Sequence, residues 1–438
     1  MNRREVLRLG AGALAAWTGL AGGVALPDLA GAFAGRPPRE TAEDEALWAQ
    51  VRAQFELDPD WIVLVTVVRG VTPRAVRERT AAETARANAF RPRAAADPDW
   101  RARVRGKAAA LIGARVDEVA LTRNTTEGIT TVIQGWPLTP GDEILTSSQE
   151  HAPYYGALAL RAARDRVRIR QFHLPTPAPS PDEIVAGVER AMGPRTRLVM
   201  LCRVALSGQI LPIREIAARV HARGAKLLVD GALAIGHVVN DVQAMGCDFF
   251  AGNFHKWGCG PRGTGLLYVK PELVERLPPL YGSITVERGR PVPQTRGRSM
   301  EKFEAFGGHP EAHFYGLEGA LDFLAALGME RVQARLFALT RHWVEQARAI
   351  PGIRFAAQLD PALCAALMSW EIAGIDSRVL TARLRDLRIA LGGTDPFGGF
   401  FGIPESAPRE LILTNPGVFT TRDELDRFVA ILSQEAKR

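Results

Sequence analysis

The sequence predicts an α/β fold: a large domain with a mostly parallel sheet between helices, and a smaller α+β domain at the C-terminal end. Three observations carry this. Between residues 117 and 269, short apolar runs alternate with stretches of helical spacing. That is the pattern of strand–helix–strand units whose sheet is covered on both faces. Several strands end close to a polar residue, namely Asn124, His151 and Asp230, and open α/β sheets hold ligands beyond the carboxyl ends of their strands. From about residue 311 the alternation gives way to long helical patterns followed by a shorter mixed set.

Taken in order, DEVALT, DEILTSS, RVRIRQFHL, TRLVMLC, AKLLVD, CDFFAGNF and GTGLLYV read as strands. Between them, TTEGITTVIQGW, PSPDEIVAGVERAM and IREIAARVHARG space apolar residues three and four apart, as helices buried on one face require. The Pro-rich PTPAPSPDE is a surface connection. Past residue 311, EAHFYGLEGALDFLAALG and MERVQARLFALTRHWVEQARAI are long helices. IRFAAQL and ALCAALMSWEI, a helix SRVLTARLRDL, a Gly-rich loop and a last helix TRDELDRFVAILSQEA complete the small domain. The chain divides into a leader (1–34), an N-terminal segment (35–75), a large domain (76–310) and a small domain (311–438).

Composition narrows the function. With 438 residues, 47% of them hydrophobic, the chain can bury a large core and exceeds one simple domain. The net charge is +7, but arginines and acids are interspersed and no basic run tracks a phosphate backbone, so nucleic acid is not an expected partner. Cys202, Cys247, Cys259 and Cys364 show no CxxC spacing and no His/Cys cluster, so no metal site is expected. A disulfide is open to them only outside the cytoplasm.

The first residues point outside it. Arg3 and Arg4 precede the weakly apolar LGAGALAAWTGLAGGVAL, and Ala32 and Ala34 form an A-x-A site. Charged start, apolar middle and small-residue cleavage site describe a secretory signal. The arginine pair followed by Leu7 resembles a twin-arginine signal. Cleavage is expected after Ala34, with a periplasmic or extracytoplasmic mature protein and the twin-arginine export machinery as a partner. The run is short for an anchoring helix, and no second apolar span follows.

Chemistry concentrates in four places. In GNFHKWGCGPRGTG, Lys256 follows a strand and is ringed by glycines. A lysine desolvated there becomes a neutral amine able to form Schiff bases. GCGPRG fits a dinucleotide fingerprint in letters only, because Pro261 interrupts it and a strand rather than a helix follows. Asp230 ends the strand AKLLVD, where a carboxylate suits a pyridinium nitrogen; a turn or capping Asp is the structural alternative. In TRNTTEGITTVIQGW, Thr125, Thr126 and Gly128 open a helix whose free N–H groups and hydroxyls suit a phosphate, or else an ordinary Thr cap. In SSQEHAPYYG, His151 is placed to stack on a flat ring or to serve as a base, or else is a plain core or turn histidine. A phosphate cup, a ring stacker, an acid for a ring nitrogen and a Schiff-base lysine, on successive strand ends, are together what pyridoxal 5'-phosphate (PLP) requires.

At this point the chain resembles the class V aminotransferase family of PLP fold type I. NFHKWGCGPRGTGLLYV and ALTRNTTEGITTVIQGWPLTPGDEIL are most similar to its isopenicillin N epimerase-like branch. The resemblance runs from about residue 60 to the C-terminus. It implies Lys256 as the Schiff-base lysine, Asp230 on the pyridine nitrogen and His151 over the ring. It implies Thr126 and its adjacent backbone on the phosphate, helped by Asn253 and His255, and a homodimer with active sites at the subunit interface. The leader makes the chain similar to exported PLP enzymes that tailor siderophore peptides. The expected function is an exported PLP-dependent enzyme working at Cα of an amino-acid or peptide amine, by epimerisation or transamination. A non-catalytic PLP-fold binding protein and a cysteine desulfurase or C–S lyase are the alternatives.

The chain departs from the family pattern at four points. Leu233 stands where Gln or His bonds the cofactor phenolate. Ala205 stands where Asn or Ser often lies near the ring. Gly307-Gly308 replaces the Gly-Thr that reaches the partner's phosphate. Leu413 aligns with the arginine that clamps a substrate carboxylate, leaving Arg409, Arg296 or Arg298 as substitutes. The substrate is therefore not identified by the sequence.

Overall fold

The computed structural model describes residues 26–438, apart from 69, 90–98, 178–179, 283, 288–289, 294–298, 306, 308 and 394–409. Its strands in the first half are β1 (Ile62–Leu64), β2 (Val119–Thr122), β3 (Glu143–Ser147), β4 (Arg168–Phe172), β5 (Thr196–Cys202), β6 (Lys226–Asp230), β7 (Phe249–Asn253) and β8 (Gly265–Val269). A hairpin of β9 (Ile284–Glu287) and β10 (Arg290–Pro293) follows, then β11 (Ile353–Phe355), β12 (Met368–Ile372), β13 (Ile389–Gly393) and β14 (Ile412–Thr414).

Seven strands form the large sheet, in the order β2-β8-β7-β6-β5-β3-β4. Only β8 runs against the others, because it pairs antiparallel with both β2 and β7. All five residues of β7 and of β8 are buried, as expected of strands covered on both faces. One cover is the helix Thr125–Gly135, which buries Ile129, Val132 and Ile133. The helix Ile213–Ala222 buries Ile213, Ile216, Ala217 and Val220. The doubly covered α/β architecture expected from the alternation is thus present, and the seven strand runs of the large domain each contain an observed strand.

The small sheet has the order β1-β13-β14-β12-β11. Its first strand comes from the N-terminal segment and runs parallel to β13, with Ile62 opposite Ile389. Behind it Trp343, Trp370 and Phe428 pack edge to face or tilted. The helix Leu26–Phe33 also belongs to the core: Leu29 and Phe33 are fully buried, and the Phe33 ring meets Trp48 at 5.3 Å. The expected cut after Ala34 lies just past this packed helix and would strip both side chains from the core.

Buried charge ties the helices together. Glu318 is 4% exposed and accepts from Arg79 (2.6 Å), Arg103 (2.8 Å) and Lys107 (3.0 Å). These cations lie on the helices Arg74–Asn88 and Trp100–Leu111, so the carboxylate of Glu311–Leu327 pins both. Burial works to raise the Glu318 pKa, but the bond from Arg103 and the charges of Lys107 and Arg79 win and hold it at about 2.

Candidate active site

Because β2, β3, β5, β6 and β7 share one direction, their carboxyl ends open on one edge of the sheet. That edge collects Thr125 and Thr126 after β2, His151 after β3, Asp230 at the end of β6, and Asn253, His255 and Lys256 at and beyond the end of β7. Proximity in space comes from strand order, since Asp230 pairs with Ala251 two residues before Asn253.

Asp230 is 5% exposed, and its Oδ1 accepts the Ala232 N–H at 2.7 Å. Burial pushes its pKa up to about 6, against that N–H, the charge of Lys256 and a hydrogen bond from the Tyr154 hydroxyl. Lys256 keeps only part of its surface exposed. Burial lowers its pKa to about 8, while the charge of Asp230 pulls the other way. The amine therefore has a sizeable neutral fraction near pH 8, the condition for attack on a carbonyl.

The helix Thr125–Gly135 begins on this edge. Its cap is Asn124, whose side chain accepts from the Glu127 N–H at 2.9 Å. The structural alternative of a Thr cap is corrected by this: Thr125 and Thr126 lie in the first turn. Thr125 is buried and its Oγ1 accepts from Asn253 Nδ2 at 2.9 Å. Asn253 also donates to Ala232 O at 3.3 Å, and its Oδ1 is buried without a partner. Thr126 is exposed on the same turn. Free N–H groups at a helix start beside exposed and buried hydroxyls favour an anion.

His151 is exposed at the start of the helix Ala152–Asp165, its ring edge-on to Tyr154 at 5.4 Å. His255 is half-buried, its pKa lowered to about 4 by burial and by the charges of Lys256 and Arg262. Its buried Nδ1 has no partner, and its carbonyl accepts the Gly70 N–H at 3.0 Å. A Cβ at Gly70 would collide with the Lys256 backbone, so glycine is what lets the N-terminal segment cross the lysine.

Sequence reasoning missed three groups here. Glu150 is 3% exposed; its Oε1 accepts from Ser147 Oγ at 2.7 Å and from the Cys202 N–H at 3.2 Å, and its Oε2 is unpartnered. Burial, then the charge of Asp230, push it up to about 8, so the acid is largely neutral at pH 7. Tyr154, 1% exposed, stands between His151 and Asp230. His237, 1% exposed, lies flat on Trp257. The sequence signal was adjacency to His151 and Asp230 within EHAPYYG and DGALAIGH.

Leu233 is 8% exposed, and Ala205 is fully buried in a turn closed by the Gly208 N–H to its carbonyl. Leu413 is 2% exposed within β14, opposite Ser369 and Gly392, and supplies no cation. Gly307 is exposed. Gly308, Arg296, Arg298 and Arg409 lie outside the described residues. All four cysteines are free and buried. Burial raises Cys247, Cys259 and Cys364 to about 12, and burial together with the charges of Glu150 and Asp230 raises Cys202 well above the usual thiol range.

A doubly covered sheet that brings a partly neutral lysine, a buried carboxyl and a helix start to one edge fits a PLP-dependent α/β enzyme. The class-V aminotransferase family model matches residues 77–393, and the chain belongs to that family. It is 30% identical over 405 residues to the isopenicillin N epimerase of Streptomyces clavuligerus, covering 88% of this chain and 97% of that protein. It is 31% identical over 341 residues to a cysteine desulfurase of Dickeya dadantii, covering 75% and 79%. Among solved structures, a cysteine desulfurase of Escherichia coli superposes with a TM-score of 0.75 at 25% identity, covering 89% of this chain and 98% of that one. A lysine-to-alanine variant of C-DES, with glycine covalently linked to its PLP, superposes with a TM-score of 0.78 at 23% identity, covering 87% and 98%. The cofactor is pyridoxal 5'-phosphate, and the orphaned His255 Nδ1, the exposed Thr126 on a helix start and the Lys256–Asp230 pair fit it.

Proposed function

We propose that this chain is an exported PLP enzyme that works at Cα of an amino-acid or peptide amine, by epimerisation or transamination, with Lys256 as the cofactor lysine and proton carrier. The observation that carries the reading is that neighbouring strands bring Lys256, just beyond β7, to the edge where the buried Asp230 ends β6, and burial lowers the lysine's pKa to about 8. PLP supplies an electron sink for the pair released at Cα. Asp230 would pair with the ring nitrogen and keep it protonated, His151 would cover the ring face, and Thr125, Thr126, Asn253 and His255 would hold the phosphate. Lys256 Nζ takes the Cα proton. A proton delivered by another donor to the opposite face of Cα would give epimerisation; Lys256 carrying the proton across to the cofactor side, in place of returning it to Cα, would lead to amino-group transfer. Homology at 30% identity to the epimerase supports this chemistry. A homodimer and export through the twin-arginine route are parts of the same proposal, supported by family resemblance and by Arg3 and Arg4.

A second reading, sulfur chemistry, is favoured by the cysteine desulfurase relatives. Transfer of sulfur to an enzyme thiol needs an accessible thiolate. The chain has only four cysteines, and each is buried with a raised pKa. Elimination without such a thiol stays compatible with the site.

Purified protein given PLP should show visible absorbance that Lys256→Ala abolishes. A wild type that stays colourless sinks the proposal. Incubation with amino acids and peptide amines in D2O separates the chemistries: deuterium at Cα with inverted configuration marks epimerisation, a keto acid marks transamination, and sulfide marks elimination. No deuterium and no product from any amine favours a non-catalytic protein.

A further inference from the structure

His237 sits in the turn that follows Asp230 and is 1% exposed. Its ring lies on the Trp257 indole with centroids 3.9 Å apart and planes 12° apart. Its Nδ1 is 2.7 Å from the Leu233 carbonyl, and the Ala366 N–H reaches its Nε2 at 2.7 Å. A backbone N–H only donates, so Nε2 is the acceptor and Nδ1 carries the proton that Leu233 O receives. Both nitrogens are thereby committed in one neutral tautomer, and burial lowers the ring's pKa to about 4.

These contacts join three separate pieces of chain. Leu233 belongs to the turn beyond Asp230. Trp257 follows Lys256 directly, and its Nε1–H donates to the Pro416 carbonyl at 3.0 Å. Ala366 belongs to the small domain, next to Ala365, whose N–H donates to Gly208 O at 2.9 Å. Gly236 has φ +71°, and a Cβ there would run into the Trp257 backbone. Only a glycine lets the turn come this close to the lysine segment.

We propose that His237 is a positioning residue. It clamps Trp257 between the turn after Asp230 and the small domain, and so fixes where Lys256 presents its amine. The inference rests on Lys256 being the cofactor lysine. It does not depend on the substrate. Shifts of the small domain reach the lysine through this ring, because Ala366 and Trp257 hold the same imidazole.

His237→Phe keeps a flat ring on Trp257 and removes both hydrogen bonds. His237→Gln keeps one amide able to donate and accept. For each holoprotein the PLP dissociation constant, the pH midpoint of the cofactor's visible band and the urea midpoint are measured. His237→Phe is expected to weaken PLP binding about tenfold and to move the band's pH midpoint by about half a pH unit, with His237→Gln recovering part of both. A lower urea midpoint with unchanged affinity and unchanged band midpoint makes His237 merely structural and overturns the proposal. If His237→Phe does not fold, the same two readings on His237→Gln decide the matter. A wild type with no visible band removes the assignment of Lys256, and this inference with it; a normal wild-type band with an unmoved variant removes only this inference.

Discussion

Replacing Glu150 by Gln should stabilise the protein at neutral pH while changing little at pH 5. Glu150 is 3% exposed and its Oε2 has no partner. Burial and the charge of Asp230 raise it from 4.5 to about 8. An acid whose folded pKa lies above its unfolded one holds its proton longer in the folded state. Between pH 4.5 and about 8 the folded chain thus binds more protons, so stability falls as pH rises and the whole loss is present above about 8. At ~1.4 kcal/mol per pH unit, the loss accumulated by pH 7 is about 3 kcal/mol. Gln has no proton to lose, and its amide oxygen still accepts from Ser147 Oγ and the Cys202 N–H. Asp230, also raised, is present in both proteins and largely cancels. Urea unfolding of both proteins across pH 5 to 8 should therefore give a difference that grows with pH in favour of Glu150→Gln. A difference independent of pH, or a variant less stable throughout, refutes the argument that Glu150 is a buried neutral acid.

Other expectations follow from single contacts. Glu318→Gln should cost about 2–3 kcal/mol at pH 7 and little near pH 2, because a carboxylate held at about 2 gives stability that is present above pH 4.5 and lost as pH falls; acid unfolding curves check it. Thr125→Val removes the acceptor of Asn253 Nδ2 and should weaken PLP binding about fivefold, read by cofactor titration; unchanged affinity removes Thr125 from the phosphate end. Gly208→Ala places a Cβ against the Leu367 carbonyl at φ +103° and should destabilise by about 2 kcal/mol or more, seen as a lower melting temperature. Arg3→Lys with Arg4→Lys should leave the protein in the cytoplasm on fractionation; normal export of that variant discards the twin-arginine route.

Local pattern alone was enough for the seven strands of the large sheet and for three of the helices around it, because apolar periods of two and of 3.6 are local signals; the helices Trp100–Leu111 and Ala152–Asp165 and the hairpin of β9 and β10 were not read. It also picked out Lys256, Asp230, His151 and Thr125 as candidates, since each lies at or just beyond the end of a strand run, and the fold gathers them on one edge of the sheet. What it did not carry was pairing between distant segments. Residues 62–64 join the small sheet beside β13, across more than three hundred residues, and no local pattern announces that partner. Asn124 rather than a threonine caps the helix Thr125–Gly135, a choice among neighbouring capping residues that only backbone geometry makes. Glu150, Tyr154 and His237 were visible as letters but not as participants. Their character comes from burial and from partners such as Asp230, Trp257 and Ala366, which lie on other strands or in the other domain. A buried group's charge state and bonds depend on what surrounds it in three dimensions, and those surroundings exist only once the chain has folded.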